Sequence, residues 1–201
     1  MGSGPSRCCG GNSQKALTET GANTNAGTAL SDREDIVGTN QRAQITMTDS
    51  ETASFLERSR IANLATIGRE GMPHLVAMWY ALIDGEMWFE TKSKSQKAVN
   101  IRRDPRVTVL VEDGNTYDSL RGVSIEGRAE IVDHPELIRK VGISVWNRYT
   151  GPYTDDLLPL VDQMMNKRVA VRVVVDRTRS WDHRKLALPE IPLGGTTAQY
   201  L

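Results

Sequence analysis

The sequence predicts a mainly β fold, a small antiparallel barrel with helical insertions late in the chain. Residues 122–133 carry the clearest signal. Val123, Ile125, Ala129 and Ile131 fall on one face, and Ser124, Glu126, Arg128 and Glu130 on the other, the period of a half-buried strand. Asp84-Gly85 stands between two apolar runs, and both residue types favour the positive φ of a two-residue hairpin turn. Turns of this antiparallel kind, without alternating βαβ units, favour a barrel over a doubly wound sheet.

The elements follow in order. Thr48-Asp-Ser-Glu51 is a capping box that opens a short amphipathic helix through Ala53, Leu56 and Glu57. Strands are expected at 60–67, closed by Gly68-Arg-Glu-Gly71, then at 73–83 and, after the Asp84-Gly85 turn, at 86–91. A helix from about Ser95 stops before Asp104-Pro105, because proline cannot continue it. The fourth strand is 107–112 and the fifth 122–133. Pro135 suits a first helical position, opening a helix to about Tyr149. A second helix covers 155–166, with Pro159 limiting its early part, and 168–176 is the sixth strand.

Composition bounds the function. The chain has 201 residues and a formal net charge of zero. That length suits one domain plus tails, and balanced charge argues against nucleic acid as the main partner. No apolar run approaches the roughly 20 residues that cross a bilayer. Residues 1–47 hold no aromatic residue and are rich in Gly, Ser, Thr, Asn and Ala, so a disordered N-terminal tail is expected. Its start fits the loose N-myristoylation pattern, with Cys8 and Cys9 as further acylation candidates. Nothing else in the sequence speaks of a membrane. These two cysteines are adjacent, build neither a disulfide framework nor a metal site, and fit a reducing cytoplasm. The folded domain is expected over 48–186, with 187–201 as a C-terminal tail.

Glu90 to Pro105 is the stretch richest in chemistry. It places Thr91, Ser93 and Ser95 beside Lys92, Lys94 and Lys97 at a helix start. Hydroxyls, free backbone N–H groups and ammonium charges there suit a bound phosphate or carboxylate. The alternative is a solvated basic loop. His74, His134 and His183 lack metal-ligand spacing. His134-Pro135 reads as a helix start, Arg102-Arg103-Asp104 as a helix end facing solvent, and Trp88, Phe89 and Trp146 as core. Trp181 is open between closing a substrate pocket and simple packing.

Residues 50 to about 185 resemble the split β-barrel flavin- and deazaflavin-binding superfamily that includes the pyridoxamine 5'-phosphate oxidases. The likeness is carried by I-A-N-L-A-T-I-G-R-E-G-M-P-H at 61–74, M-W-Y at 78–80, the stretch 88–97, N-I-R-R-D-P-R-V at 100–107 and V-S-I-E-G-R-A-E at 123–130. It implies a six-stranded antiparallel split β-barrel, the FMN-binding split barrel, acting as a homodimer with the cofactor cleft at the interface. The chain looks most like the branch that uses the deazaflavin coenzyme F420. FMN-binding oxidases of the family carry an Arg-Lys pair on this loop where Gln96-Lys97 stands here, and the C-terminal substrate-holding segment of the pyridoxine-phosphate oxidases has no counterpart.

The resemblance implies that Met78, Trp79 and Tyr80 lie along the deazaflavin ring. Thr91, Ser93, Ser95 and Lys97 would bind the ribityl-phosphate side, with Lys92 and Lys94 at the rim and Asn100 orienting the loop. Arg121 and Gly122 would meet the acidic polyglutamate tail from a neighbouring subunit. The implied reaction is hydride transfer from reduced F420 to a conjugated C=C, quinone or tetrapyrrole-like small-molecule acceptor. Tyr80 is the one side chain named as a proton donor, with water as the alternative. Two other readings stay open: an FMN-dependent oxidase or reductase, and a non-catalytic F420-, FMN- or haem-binding protein.

Overall fold

A computed structural model describes residues 40–195; the expected N-terminal tail and the acylation candidates Cys8 and Cys9 fall outside them, apart from 40–47. Those last residues are part of the folded unit, so the domain starts earlier than 48. Asn40 caps a five-residue helix, α1 (Gln41–Ile45), and Met47 is buried in the core. The capping box is present in full: Thr48 Oγ1 accepts from the Glu51 N–H (3.2 Å), and Glu51 Oε2 accepts from the Thr48 N–H (2.7 Å). It opens α2 (Asp49–Arg58), whose buried residue is Phe55.

Seven antiparallel strands form one curled sheet: β1 (Ala62–Ile67), β2 (Pro73–Met78), β3 (Ala81–Ile83), β4 (Glu86–Lys92), β5 (Arg106–Asp113), β6 (Arg121–Val132) and β7 (Arg168–Asp182). Their order is β2-β1-β5-β6-β7-β4-β3, so the two outermost strands are consecutive in the chain. This is the split barrel, with one strand more than the six expected. Between β4 and β5 lies α3 (Gln96–Arg103); α4 (Pro135–Tyr149) and α5 (Leu158–Met165) lie between β6 and β7. Among the described residues no helix is long and apolar enough to cross a membrane.

The extra strand comes from a break at Trp79-Tyr80. Residues 73–78 pair with β1 and 81–83 with β4, so the expected strand 73–83 serves two different partners. The peptide at the corner belongs to neither ladder, and its polar groups need other partners. Tyr149, at the end of α4, supplies them. Its hydroxyl accepts from the Tyr80 N–H (3.0 Å) and donates to the Arg60 carbonyl (2.8 Å), with the Tyr80 carbonyl at 3.1 Å.

Asp84 (φ 54°) and Gly85 (φ 80°) make the predicted hairpin turn. The alternation in 122–133 is realised too. Val123, Ile125 and Ala129 are buried and Ile131 half-buried, with a bulge between Glu126 and Gly127. The last strand runs beyond the expected 176 to Asp182, because its second half pairs with residues 121–126 across that bulge.

Both faces of the β4 end of the sheet are covered. Phe89 belongs to the core inside the curl, with Tyr80, Leu64 and the valines of β5 and β7. Trp88 points the other way, into a second core that α4 and α5 build with Val141, Val145, Val161 and Met165. Val107, Val109, Val111, Val169, Val171 and Val173 face the molecule's own interior, whereas Leu110 and Val174 are only partly buried and Val175 is half exposed.

Tyr149→Phe leaves the corner N–H of Tyr80 without an acceptor. Loss of a partner to a buried donor costs about 1–3 kcal/mol, so the urea unfolding midpoint should fall with its slope unchanged. A midpoint equal to the parent's would show that the corner does not depend on this hydroxyl.

Candidate functional site

The loop from β4 into α3 is shaped by its own side chains. Ser95 is the N-cap of α3, its Oγ accepting from the Ala98 N–H (3.4 Å) and bonded to Thr91 Oγ1 (2.9 Å). The Ser93 N–H donates to the Lys167 carbonyl (3.0 Å) and the Ser95 N–H to the Lys92 carbonyl (2.9 Å). Arg102 reaches back to the Ser93 carbonyl (2.7 Å), and Lys92 Nζ donates to the Asn166 carbonyl (3.2 Å). Every bend is thus tied before any ligand arrives. The Gln96 and Lys97 amides in the first turn carry no acceptor among the described residues, as helix starts leave them.

Lys97 stands apart from its neighbours. Lys92 and Lys94 are exposed, whereas Lys97 is half-buried and makes no hydrogen bond or ion pair among the described residues. Glu90 is the carboxylate whose charge acts on it, and that carboxylate is engaged by Arg168. Burial lowers the Lys97 pKa below the usual lysine value; Glu90 opposes the shift and Arg168 adds to it. A partly dehydrated lysine in the first turn of a helix whose starting amides are free suits an anion.

Gln96 and Asn100 hold the helix rather than a ligand. Gln96 Nε2 donates to Asn100 Oδ1 (2.8 Å), and Asn100 Nδ2 donates to Thr66 Oγ1 on β1 (3.0 Å). Asn100 and Thr66 are fully buried, so this pair fixes α3 against the sheet and orients the loop. Arg103 also bonds the Ile67 carbonyl. The Arg102-Arg103 run therefore ties α3 to the loop and to β1 instead of only facing solvent.

Met78, Trp79 and Tyr80 sit at the corner described above and point in different directions. Met78 is half-buried against the inner core. Trp79 is 49% exposed and stacks flat on Tyr149, with centroids 4.4 Å apart and 6° between planes. Tyr80 packs its ring against Phe89 of β4 at 6.5 Å, which sets the corner beside the strand that delivers the Lys97 loop. The Tyr80 hydroxyl, however, is unsuited to proton donation. It has no solvent exposure, donates to the Leu56 carbonyl (2.6 Å) with Ser59 O at 3.1 Å, and has a pKa pushed up to about 12 by burial. It is an anchor for the end of α2.

Arg148 and Tyr149, which the sequence did not single out, complete this anchor. The Arg148 guanidinium lies 4.8 Å over the Tyr80 ring and bonds the carbonyls of Leu56, Glu57 and Ser59, besides the Glu57 carboxylate (3.1 Å). Neither residue belongs to a local motif; an Arg-Tyr pair at a helix end is ordinary until the strand corner is folded against it.

Arg121 and Gly122 lie elsewhere. Pro105, just after α3, bonds to Ala129 of β6, eight residues of strand from Arg121, or about 26 Å at the usual rise. Arg121 is paired with Asp113 (2.5 Å). Gly122 is covered by Trp181, whose ring would collide with a Cβ built there. One chain does not bring these two residues to the Lys97 loop.

The sequence profile of the family described as pyridoxamine 5'-phosphate oxidase matches residues 48–182. A conserved hypothetical protein from Mycobacterium tuberculosis is 68% identical, with a TM-score of 0.76 over 80% of this chain and all of that one. A solved F420 reductase is 31% identical, with a TM-score of 0.50, covering 62% of this chain and 93% of the other. The haem storage protein of Vibrio cholerae shares the fold at 13% identity and a TM-score of 0.54, covering 67% of this chain and 96% of its own. A comparison with curated proteins gave no match. The chain belongs to the pyridoxamine 5'-phosphate oxidase family, whose relatives by fold include flavin- and F420-linked proteins.

Proposed function

We propose that this member of the pyridoxamine 5'-phosphate oxidase family is an F420-dependent oxidoreductase acting on a conjugated C=C, quinone or tetrapyrrole-like acceptor. The observation that carries the reading is Lys97, a half-buried cation without a partner among the described residues, set on free amides at the start of α3. The 31% identity with an F420 reductase supports the coenzyme. So does Gln96, which stands where FMN-binding relatives carry arginine and bonds Asn100, leaving one cation for the phosphate.

Lys97, the Gln96 and Lys97 amides and the Ser93 and Ser95 hydroxyls would hold the phosphate, with Thr91 fixing Ser95 and Lys92 and Lys94 at the rim. Met78, Trp79 and the backbone of the corner would border the ring. A bound reduced deazaflavin supplies a hydride. The chain's part is to bind, orient and exclude water. With the Tyr80 phenol held by two carbonyls, the proton comes from water. The setting proposed is cytoplasmic.

A homodimer would complete the cleft. Strand β2 is outermost in the sheet, Leu75 (63%) is exposed on it and Trp79 is exposed at the corner that follows, apolar surface suited to a second copy. Leu75→Lys should give monomers by light scattering and weaken coenzyme binding. A parent protein that is monomeric at micromolar concentration would remove the dimer.

Separate fluorescence titrations with F420 and FMN test the coenzyme. The expected result is tight F420 binding, weak FMN binding, and hydride transfer from reduced F420 to a quinone or enone. A yellow protein purified with FMN would overturn the assignment. Tight F420 binding with no transfer to any acceptor would leave a binding protein.

Lys97→Ala should weaken F420 binding by about 1.5–3 kcal/mol, the range for hydrogen bonds to charged groups, or roughly tenfold to hundredfold in Kd. Lys94→Ala should cost much less, and neither should shift the unfolding midpoint of the free protein appreciably. Equal losses in the two variants would mean a diffuse basic patch.

The pH profile gives an independent reading. Protonated Lys97 binds the phosphate, and binding raises its pKa, so affinity is full below the free-state pKa and falls as pH rises through it. Because burial lowers that pKa, the fall begins below the ordinary lysine value of about 10.4. Lys97→Arg stays charged throughout and should flatten the profile. A parent profile flat to pH 10 would remove Lys97 from the site.

A further inference from the structure

Glu90 and Arg168 stand on neighbouring strands where the sheet feeds the Lys97 loop. In the β4–β7 ladder Glu90 lies opposite Ala170 and Lys92 opposite Arg168. Arg168 therefore meets the Glu90 carboxylate as a diagonal cross-strand neighbour. Its Nε donates to the Met164 carbonyl of α5 (2.9 Å). The guanidinium is thus fixed by a strand on one side and by the helical insertion on the other.

The same corner carries the start of α3. The residue before Arg168 accepts the Ser93 N–H on its carbonyl (3.0 Å). The residue after Glu90, Thr91, bonds the Ser95 cap through its hydroxyl (2.9 Å). These two ties lay the first turn of α3, which holds Lys97, against the ends of β4 and β7. At that distance the Glu90 charge favours the lysine's ammonium form and the Arg168 charge opposes it.

Glu90 has little water to turn to, its side chain being 12% exposed, and a carboxylate so placed needs a cation. Lys92 shares its face of β4, two residues on, but the Lys92 ammonium is engaged by the Asn166 carbonyl (3.2 Å). Lys97 has no partner among the described residues and a flexible four-carbon stem. If Arg168 did not hold Glu90, Lys97 would be the cation left to take it.

We propose that Arg168 is a positioning residue for the phosphate site: by holding Glu90 it keeps Lys97 open to the coenzyme, and without it Glu90 pairs with Lys97 and closes the site. The inference rests on the reading of Lys97 as a phosphate ligand. It adds that a carboxylate inside the fold competes with the phosphate for one ammonium, and that an arginine outside the ligand's reach decides the competition.

The test is a double-mutant cycle on the full chain, read by fluorescence titration with F420 and with FMN. Arg168→Met should weaken coenzyme binding about tenfold, the lower end of the loss set for Lys97→Ala. Glu90→Gln should bind at least as tightly as the parent, since it removes the competitor. Glu90→Gln combined with Arg168→Met should bind like Glu90→Gln, because Lys97 is free again. Arg168→Lys, which keeps a cation for Glu90, should stay near the parent. A merely structural arginine gives the opposite result: the double variant is then as weak as Arg168→Met, or weaker. That outcome overturns the proposal, as does an Arg168→Met that binds like the parent. Urea unfolding shows which variants are folded. If Arg168→Met is not, Glu90→Gln decides alone, and weaker binding by it overturns the proposal. FMN binding in place of F420 would count against the proposed coenzyme and not against Arg168, since both carry the phosphate; the cycle is then read with FMN. A parent that binds neither overturns both.

Discussion

The corner at Tyr80 is the constraint on which the rest of the structure depends. A sheet that curls until its outermost strands are consecutive must turn the chain from one ladder into another. The peptide at that turn cannot pair with both. Here α4 answers the need, with Tyr149 bonding the Tyr80 backbone and Arg148 bonding the carbonyls at the end of α2. The Arg148 side chain is only 7% exposed, so its charge depends on those carbonyls, Glu57 and the Tyr80 ring. A buried guanidinium stripped of such partners would be costly. Helix α2, the corner and α4 are therefore one unit, though they lie far apart in sequence.

That unit decides which way three adjacent side chains face. With Tyr80 drawn inward to the Leu56 carbonyl, Trp79 must face out, where Tyr149 gives it a flat backing. Strand β4 is held from both sides, by Phe89 in the inner core and Trp88 in the helical one. Each fully buried aromatic contributes on the order of 1.5–3 kcal/mol. A strand anchored on both faces gives a firm base to the loop that follows it. The Ser93–Lys167 and Arg102–Ser93 bonds then fix the loop itself, so little ordering remains for a ligand to bring about.

What could be read from the sequence was local. The Thr48–Glu51 capping box, the Asp84-Gly85 turn, the Pro135 helix start and the alternation of 122–131 each depend on neighbours within a few residues, and all four appear in the fold. The helix start at about Ser95 was legible for the same reason. The break at Trp79-Tyr80 was not, since apolar residues run through it and its cause, Tyr149, is 69 residues away. Nor was the second half of β7: Arg177-Thr-Arg179 has no apolar alternation and is a strand because β6 pairs with it. Helix α1 is too short and polar to carry a periodic signal. Tyr80 looked available because a strand tyrosine beside a turn usually is; its burial comes from α2, which the local pattern does not place.

Lys97 and Tyr80 show how burial acts differently on two ionisable groups near one site. Desolvation raises the pKa of the phenol and lowers that of the ammonium, because each shift favours the neutral form. For Tyr80 the neutral form has its acceptors in place, the carbonyls of Leu56 and Ser59, so the side chain is satisfied where it stands. Lys97 has no such acceptor among the described residues, and the one carboxylate nearby is held by Arg168. Its position is thus tolerated by the free protein rather than favoured by it. An arriving phosphate would supply both the opposite charge and the hydrogen-bond acceptors that the fold withholds. In the proposed function, that asymmetry makes the lysine a binding group and the tyrosine a structural one.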